Sequence, residues 1–268
     1  MKESDLVHLV FVSKTCHIHF QCRLDSAHIW HSFHILDLIR RKCLSKRVKD
    51  IHKVFWTQRF DGSYTLLTSL TSLTFGDFNG GQLLVLPNSL KYLDLGRTFN
   101  QPLTSATFPN SLTHLGFGRA FNQSLTPGML PTSLETIRFG MQFDQPLTPG
   151  VFGNVLKSLE FGYHFNQPIE AGVLPSSLKT LSFFGNFNHP LIIPDTLPVS
   201  LTHLRLGMWF DHSISFRDLP SLTHLKLGHR YKDVESLENL PCSLTHLELS
   251  EKLWDLGIFP PNIVALRK

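Results

Sequence analysis

Cysteine is scarce in this sequence. Its four cysteines in 268 residues, Cys16, Cys22, Cys43 and Cys242, are too few and too scattered for a disulfide framework. No apolar run approaches the about 20 residues needed to cross a bilayer, and the short run 6–12 has no small-residue cleavage site of a secretory signal. These absences predict reduced thiols and an intracellular protein without a membrane span. We expect it in the cytoplasm, with the nucleus as the alternative that its basic segment leaves open.

Signatures of common catalytic sites are also missing. The sequence has no phosphate-binding glycine loop, no nucleophile elbow, no HExxH and no paired-carboxylate pattern. We therefore expect no enzyme activity and no cofactor. Basic residues are concentrated before residue 60, with eleven Lys or Arg against five Asp or Glu, whereas the remainder has fourteen against sixteen. The larger part of the chain is thus close to neutral.

What the sequence does have is a repeat. The stretch SLKYLDLGRTFNQPL at Ser89–Leu103 recurs as SLTHLGFGRAFNQSL from Ser111 and as VLKSLEFGYHFNQPI from Val155. The second residue of each copy marks the register: Leu70, Leu90, Leu112, Leu134, Leu156, Leu178, Leu201, Leu222 and Leu244. The intervals run from 20 to 23 residues, a period typical of solenoids, whose coils stack on one another. We predict about nine coils over residues 67–268 and a separate segment over residues 1–66.

Each coil predicts one β-strand. In Leu93-Asp94-Leu95 the apolar residues alternate, which places one face inward and the other outward. Strands separated by a whole coil pair in parallel, and the array has no long helical periodicity, so the fold is mainly β. A buried aromatic column should follow the strands: Phe99, Phe121, Phe143, Phe165, Phe187, Phe210 and Tyr231. The glycine after most strands suits either an unusual backbone angle or close stacking.

A polar side chain follows each aromatic residue of this column. The set is Asn100, Asn122, Asp144, Asn166, Asn188 and Asp211. A hydrogen-bond acceptor at the same point of every coil can satisfy backbone N–H groups that the turn leaves unpaired. We interpret these residues as a structural ladder and not as metal or catalytic ligands.

Histidines recur on the outward face of the predicted strands. His114, His203, His224 and His246 occupy one column, with Arg138, Arg205 and Lys226 beside it. Aromatic and Arg side chains clustered on the outward face of a solenoid are typical of protein-binding hot spots. The candidate partner-binding patch is His203, Arg205, Trp209, His224, Lys226, His229 and Arg230. The alternative is that Thr-His belongs to the repeat consensus and binds nothing.

Residues 1–66 carry no repeat. Apolar residues three to five apart over 35–55 favour one or two amphipathic helices, so we expect a small helical segment here. The basic cluster on their polar side is Arg40, Arg41, Lys42, Lys46, Arg47 and Lys49. It is either a solvated face or a site for nuclear import, nucleic acid or anionic lipid. Cys16, His19 and Cys22 include zinc-ligand types but lack the usual pair spacing, so no metal site is expected.

The phrase Phe-Asn-Gln-Pro-Leu at Phe99–Leu103, repeated with one change at Phe121–Leu125, resembles the FNIP repeats, relatives of the leucine-rich repeats. The resemblance covers 66–266 and implies a right-handed, horseshoe-like solenoid without a defined activity. Some proteins of this kind carry an F-box, which recruits a cullin-based ubiquitin ligase. The stretch Leu9–Cys16 resembles the end of an F-box, although the Leu-Pro opening is missing.

These patterns favour a non-catalytic scaffold that binds a partner protein on the solenoid surface. Two alternatives stay open. One is a substrate receptor that binds a ubiquitin-ligase adaptor through residues 1–60. The other is binding of nucleic acid or an anionic surface through residues 40–49.

Overall fold

The structure is a computed structural model that describes residues 70–75, 86–250 and 253, together with the strand backbones at 9–11, 17–24, 27–34, 53–56 and 264–267. The strands are β1 (Leu9–Phe11), β2 (His17–Leu24), β3 (Ala27–His34), β4 (Lys53–Trp56), β5 (Ser72–Phe75), β6 (Tyr92–Asp94), β7 (His114–Gly116), β8 (Thr136–Arg138), β9 (Ser158–Phe161), β10 (Thr180–Phe183), β11 (His203–Arg205), β12 (His224–Lys226), β13 (His246–Leu249) and β14 (Val264–Arg267). All of them belong to one sheet, in the order β14 to β4 followed by β1, β2 and β3.

The sheet is parallel through the whole array. Each strand from β4 to β14 pairs in parallel with its neighbour in sequence. Each of the nine register leucines lies two residues before one of the strands β5–β13. The predicted mainly β solenoid with a coil of about 22 residues is therefore confirmed. At the other end β1 is parallel to β4 and antiparallel to β2, and β2 and β3 form a hairpin.

Helix is nearly absent from the described residues. A 3-10 turn at Phe216–Asp218 and a single helical turn, α1 (Glu235–Glu238), interrupt otherwise turn-like return paths. Residues 53–56, where the predicted N-terminal helix ends, form β4 instead, and residues 35–52 lie outside the described part. The parallel ladder thus includes a strand before residue 67, the predicted boundary. None of the helices in the described residues is both long and apolar enough to cross a membrane.

Proline and glycine close the turns of each coil. The proline before a strand opens a turn, as where the Leu112 N–H donates to the Pro109 carbonyl at 3.1 Å. On the far side of the coil, Gly128 has φ +86° and the Met129 N–H donates to the Thr126 carbonyl at 3.2 Å. Proline followed by a glycine of positive φ is the pattern of a type II turn, as the Pro-Gly order predicts.

Two columns of stacked rings fill the core. The predicted column from Phe99 to Tyr231 is buried, with neighbouring ring centroids 5.9 to 6.2 Å apart. A second column comes from the inward strand residues Phe117, Phe139, Phe161 and Phe183, with centroids 5.1 to 5.5 Å apart. The two columns contact each other, because Phe161 lies 4.0 Å from Phe165, centroid to centroid. Burial of one such side chain is worth about 1.5–3 kcal/mol.

The glycine after the strand serves close stacking. A Cβ on Gly140 would lie 1.8 Å from the carbonyl oxygen of Gly118, and a Cβ on Gly162 would lie 1.8 Å from that of Gly140. A side chain at these positions would therefore push neighbouring coils apart. Where the column is broken by Phe184, the next residue, Gly185, takes over and lies against the Tyr163 carbonyl.

Two polar ladders tie the coils together. A serine hydroxyl donates to the register leucine carbonyl of the preceding coil at 2.6 to 2.7 Å from Ser89, Ser111, Ser133, Ser177, Ser200 and Ser243. In the second ladder, which we call the Asn ladder, a side-chain oxygen accepts from the backbone N–H of the equivalent residue one coil later, at 2.9 to 3.0 Å. The acceptors are Asn100, Asn122, Asp144, Asn166 and Asn188. Gln123, Gln145 and Gln167 add a side-chain donor to the same oxygens.

Candidate functional site

The outward face of the parallel sheet carries two columns of side chains. The first residue of each strand forms one column and the third residue forms the other, as the register of the pairs requires. In the central coils the first column holds only Thr136, Ser158 and Thr180. In the last coils it holds histidines instead. The first outward column therefore changes from small side chains to imidazoles near β11.

Three histidines stack face to face along β11, β12 and β13. His203 and His224 have ring centroids 4.1 Å apart at an interplanar angle of 12°, and His224 and His246 are 4.1 Å apart at 6°. We call His203, His224 and His246 the histidine column. It lines an open groove together with Thr180, Ser182, Leu204, Arg205, Leu225, Lys226, Leu247 and Glu248.

The threonine that precedes each histidine determines which nitrogen of the neutral imidazole carries the proton. The Thr202 hydroxyl donates to the Lys179 carbonyl at 3.0 Å, and its oxygen lies 2.9 Å from Nδ1 of His203. A hydroxyl has one proton, so this oxygen must accept from an Nδ1–H. The same pair recurs at Thr223–His224 and Thr245–His246. The neutral rings therefore present an unprotonated Nε2, and the threonine hydroxyls are not activated as nucleophiles.

Burial and like charge act on the middle ring. The pKa of His224 is lowered below its ordinary value, first because partial burial disfavours the imidazolium and then because charge on His203 and on His246 repels it. His224 is thus neutral at neutral pH. Protonation of His224 therefore needs a more acidic solution than protonation of an ordinary histidine.

Two cations flank the column, one with a carboxylate partner and the other over an aromatic ring. The Lys226 ammonium forms an ion pair with Glu248 on the next strand. The Arg205 guanidinium lies 4.0 Å above the centroid of the Phe184 ring. Within the described residues no carboxylate lies within ion-pair distance of Arg205. Stacking on an aromatic face holds the guanidinium plane while its N–H donors, which lie in that plane, can still bind a ligand.

A second exposed group lies on the turns that follow the strands. Trp209 is 43% exposed, and the Arg230 guanidinium lies 4.7 Å over its ring. Met208 and His229 precede them on the same turns, and Met208 is 41% exposed. Further along this row lie Met141 and Tyr163, both exposed. We call Met208, Trp209, His229 and Arg230 the turn cluster.

Residues 99–142, 143–186 and 187–229 each match the model of the FNIP repeat. The chain contains three consecutive FNIP repeats. Each match spans two coils of the solenoid. The column from Phe99 to Tyr231 passes through all three matches, whereas the second column, which ends at Phe183, lies within the first two. The histidine column begins within the third FNIP repeat, and His246 lies beyond it.

The chain is also similar to CroV588, whose crystal structure is that of a novel circular LRR (leucine-rich-repeat) protein. The two are 40% identical, with a TM-score of 0.70, over 82% of this chain and 33% of the other. The chain thus spans about a third of the length of that protein. This likeness supports the leucine-rich-repeat character of the coils. No curated protein matches the chain.

The structure divides the predicted patch into two groups. His203, Arg205, His224 and Lys226 line the groove together. Trp209, His229 and Arg230 are on the turns of the same FNIP coils and do not line it. His246 and Glu248 complete the groove at β13. Glu248 could have been found from the alternation of the strand, whereas the contact of Phe184 with Arg205 has no signal in the FNIP pattern.

Other predicted sites fall outside what the structure describes. The basic cluster from Arg40 to Lys49 is one of them, and so are the side chains of the first 66 residues. Of the F-box-like stretch, only the backbone of β1 is described. Binding to a ligase adaptor or to nucleic acid therefore stays a prediction. Among the described residues no group of three or more His, Cys, Asp or Glu is arranged to hold a metal ion.

Proposed function

We propose that this protein is a non-catalytic scaffold that binds a partner protein on the outward face of its last coils. The observation that carries the proposal is the clustering there of aromatic and cationic side chains that the core does not use. Arg205 is held on Phe184, and Arg230 is held on Trp209. Side chains that are already ordered lose little conformational entropy on binding, which is why Trp and Arg dominate hot spots.

The repeat architecture supports the same function. A solenoid presents a long surface built from equivalent positions, and such surfaces commonly bind proteins. Over β8, β9 and β10 the first outward column contains only Ser and Thr, so it offers few anchors. The groove and the turn cluster share the coils of β11 and β12, and together they form one anchoring region for the proposed partner.

The test is a comparison of captured proteins between matched variants of the full chain. The patch variant combines Arg205→Glu with Trp209→Ala. The control combines Arg119→Glu with Tyr163→Ala, which makes the same charge change and also removes an exposed aromatic ring from a turn. We expect a partner that the wild type and the control retain and the patch variant loses. Retention of the same proteins by all three would overturn the proposal.

A further inference from the structure

We propose that the histidine column and Arg205 form a binding site for an acidic segment of the partner, engaged as the pH falls. This inference rests on the proposed function and names the chemistry of the partner. The column places three titratable rings in contact on the outward face, and its stacking contacts are with one another and not with the core.

Arg205 supplies the fixed part of the site. It is the groove cation that has no acidic neighbour within ion-pair distance among the described residues, since Lys226 already pairs with Glu248. Its guanidinium carbon lies 4.0 Å over the Phe184 ring, and this contact restricts the side chain before a ligand arrives. A carboxylate matches that fork geometry and forms two parallel hydrogen bonds with it.

The histidine column supplies the variable part. Its Nδ1 protons are committed to the threonine oxygens, so each ring gains its second proton at the outward Nε2. That proton turns an acceptor into a cationic donor. Because the rings are 4.1 Å apart, protonating neighbours places like charges in contact. A carboxylate along the column relieves this repulsion, so binding takes up protons and strengthens as the pH falls.

The charges around the column agree with an anionic partner. On the side of β10 the neighbours are Thr180 and Ser182, which are neutral. Beside the column itself are Arg205, Lys226 and Glu248, and the position opposite His246 on β14 is Val264. The local sum of these fixed charges is positive at neutral pH. It rises with each imidazole that is protonated.

Two other ligands fit less well. Nearly parallel rings direct their Nε2 lone pairs in the same direction, so they do not converge on one metal ion. A nucleic acid would track a longer basic surface, whereas residues 60–268 hold fourteen Lys or Arg against sixteen Asp or Glu. An acidic peptide needs only the few positive charges of the groove.

The experiment measures fluorescence anisotropy of a labelled peptide of alternating Glu and Gly, titrated with the full chain at about pH 5.5 and about pH 7.5, on either side of the ordinary His pKa. Glu remains largely ionised at both values. We expect binding about tenfold tighter at the lower pH. The peptide with Gln in place of Glu should not bind, and a single-stranded oligonucleotide of the same length should bind more weakly than the Glu peptide.

Matched variants assign the effect to the column. The triple variant His203→Gln, His224→Gln, His246→Gln should lose the pH dependence. His114→Gln should keep it, because His114 makes the same threonine contact but stacks on no other histidine. Arg205→Gln should weaken binding about tenfold at both pH values through loss of the charge-assisted hydrogen bonds. Circular dichroism of each variant verifies that the solenoid is intact.

The outcomes separate this inference from the proposed function. Equal binding of the Gln peptide, tighter binding of the oligonucleotide, or an unchanged pH dependence in the triple variant overturns the acidic-segment site. Absence of peptide binding at both pH values overturns it as well. The proposed scaffold function is decided separately, by whether the patch variant loses a partner at neutral pH.

Discussion

The central coils and the last coils of this solenoid are built from the same motif and differ in regularity. From Phe99 to Phe187 the aromatic residues recur every 22 positions, both ring columns are present, and the Asn ladder is unbroken. From β11 onward Leu206, Leu227 and Leu249 replace the second ring column. The ladder also ends there, because Lys232 follows Asp211 and forms an ion pair with it.

On the outward face it is the last coils, and not the central coils, that carry the larger and more polar groups. Strands β8 to β10 present Thr and Ser in the first column, whereas the last coils present stacked imidazoles, Arg205 and the turn cluster. Stability in a solenoid comes mostly from contacts between neighbouring coils. The regular coils therefore have the more extensive ring contacts, and the less regular coils present the cationic and aromatic side chains to which we propose that a partner binds.

The largest expected effect is loss of a core ring. Phe165→Ala and Phe210→Ala should each cost about 3–5 kcal/mol. The cost should be greater for Phe165, because it stacks with Phe143, Phe161, Phe183 and Phe187, whereas Phe210 stacks with Phe187 and Tyr231. Urea unfolding followed by circular dichroism measures both. Equal losses in the free energy of unfolding would show that ring stacking does not make the central coils more stable than the last coils.

Next in size is the effect of a methyl group on the stacked glycines. Gly140→Ala should cost about 3 kcal/mol and Gly207→Ala about 1 kcal/mol, the range expected for overpacking. The added Cβ would lie 1.8 Å from a carbonyl oxygen at Gly140 and 2.7 Å from one at Gly207, so the coil at Gly140 has less room to adjust than the coil at Gly207. Thermal unfolding of the two variants gives the comparison. A larger loss at Gly207 would contradict it.

A smaller effect is expected where the ladder is cut. Asn122→Ala removes the acceptor of the Asp144 N–H and of the Gln145 amide, and should cost about 1–2 kcal/mol. Asn122→Asp keeps the acceptor and serves as its control. Lys232→Ala, at the end of the ladder, removes only an exposed ion pair, so about 0.5 kcal/mol or less is expected. Unfolding at low and high salt distinguishes the two, since only the Lys232 effect should vanish with screening.

The smallest effect is the pH dependence of the last coils. Since the pKa of His224 is lowered in the folded chain, the unfolded chain binds this proton at higher pH. Stability is therefore unaffected at neutral pH and decreases as the pH falls below about 6.5, until the folded His224 also titrates. His224→Gln should reduce that decrease, measured as thermal unfolding against pH.

NMR titration gives a sharper reading of the same effect. The His224 midpoint should move part of the way back towards its ordinary value in the double variant His203→Gln, His246→Gln. That variant removes the like charges, while the burial that lowers the pKa first remains. An unchanged midpoint would show that the stacked neighbours do not interact electrostatically.

Much of the fold could be predicted because the repeat shows each feature several times. Phe121 and Phe165 occupy one position of a fixed period, so their burial in one column follows from the spacing alone. The Ser111 hydroxyl bond was not anticipated, although serine recurs there, since a hydroxyl beside a strand has many possible partners. For the glycines, spacing left two explanations open; the 1.8 Å approach shows close stacking at Gly140, whereas Gly96 has a φ of +74°.

The site was less accessible to sequence reasoning. Alternation along the strand predicts that His203 and Arg205 share the outward face, and both line the groove. It could not show that Trp209 lies beyond the strand end, on a turn outside the groove. Nor could it show that Phe184 supports Arg205, because Phe184 stands where other coils have glycine. The tautomer of the histidines depends on a 2.9 Å contact that no pattern encodes.

The Asn ladder also bears on how such a chain can change its length. Each rung joins an acceptor in one coil to a donor in the next, and both ends of a coil are chemically alike. An in-frame duplication or excision of one coil in the Asn122–Asn166 region would leave every remaining rung with a partner of the right kind. A gene encoding this array can therefore gain or lose whole coils by unequal recombination, because the coils on either side of the change would still pack and hydrogen-bond as equivalent neighbours.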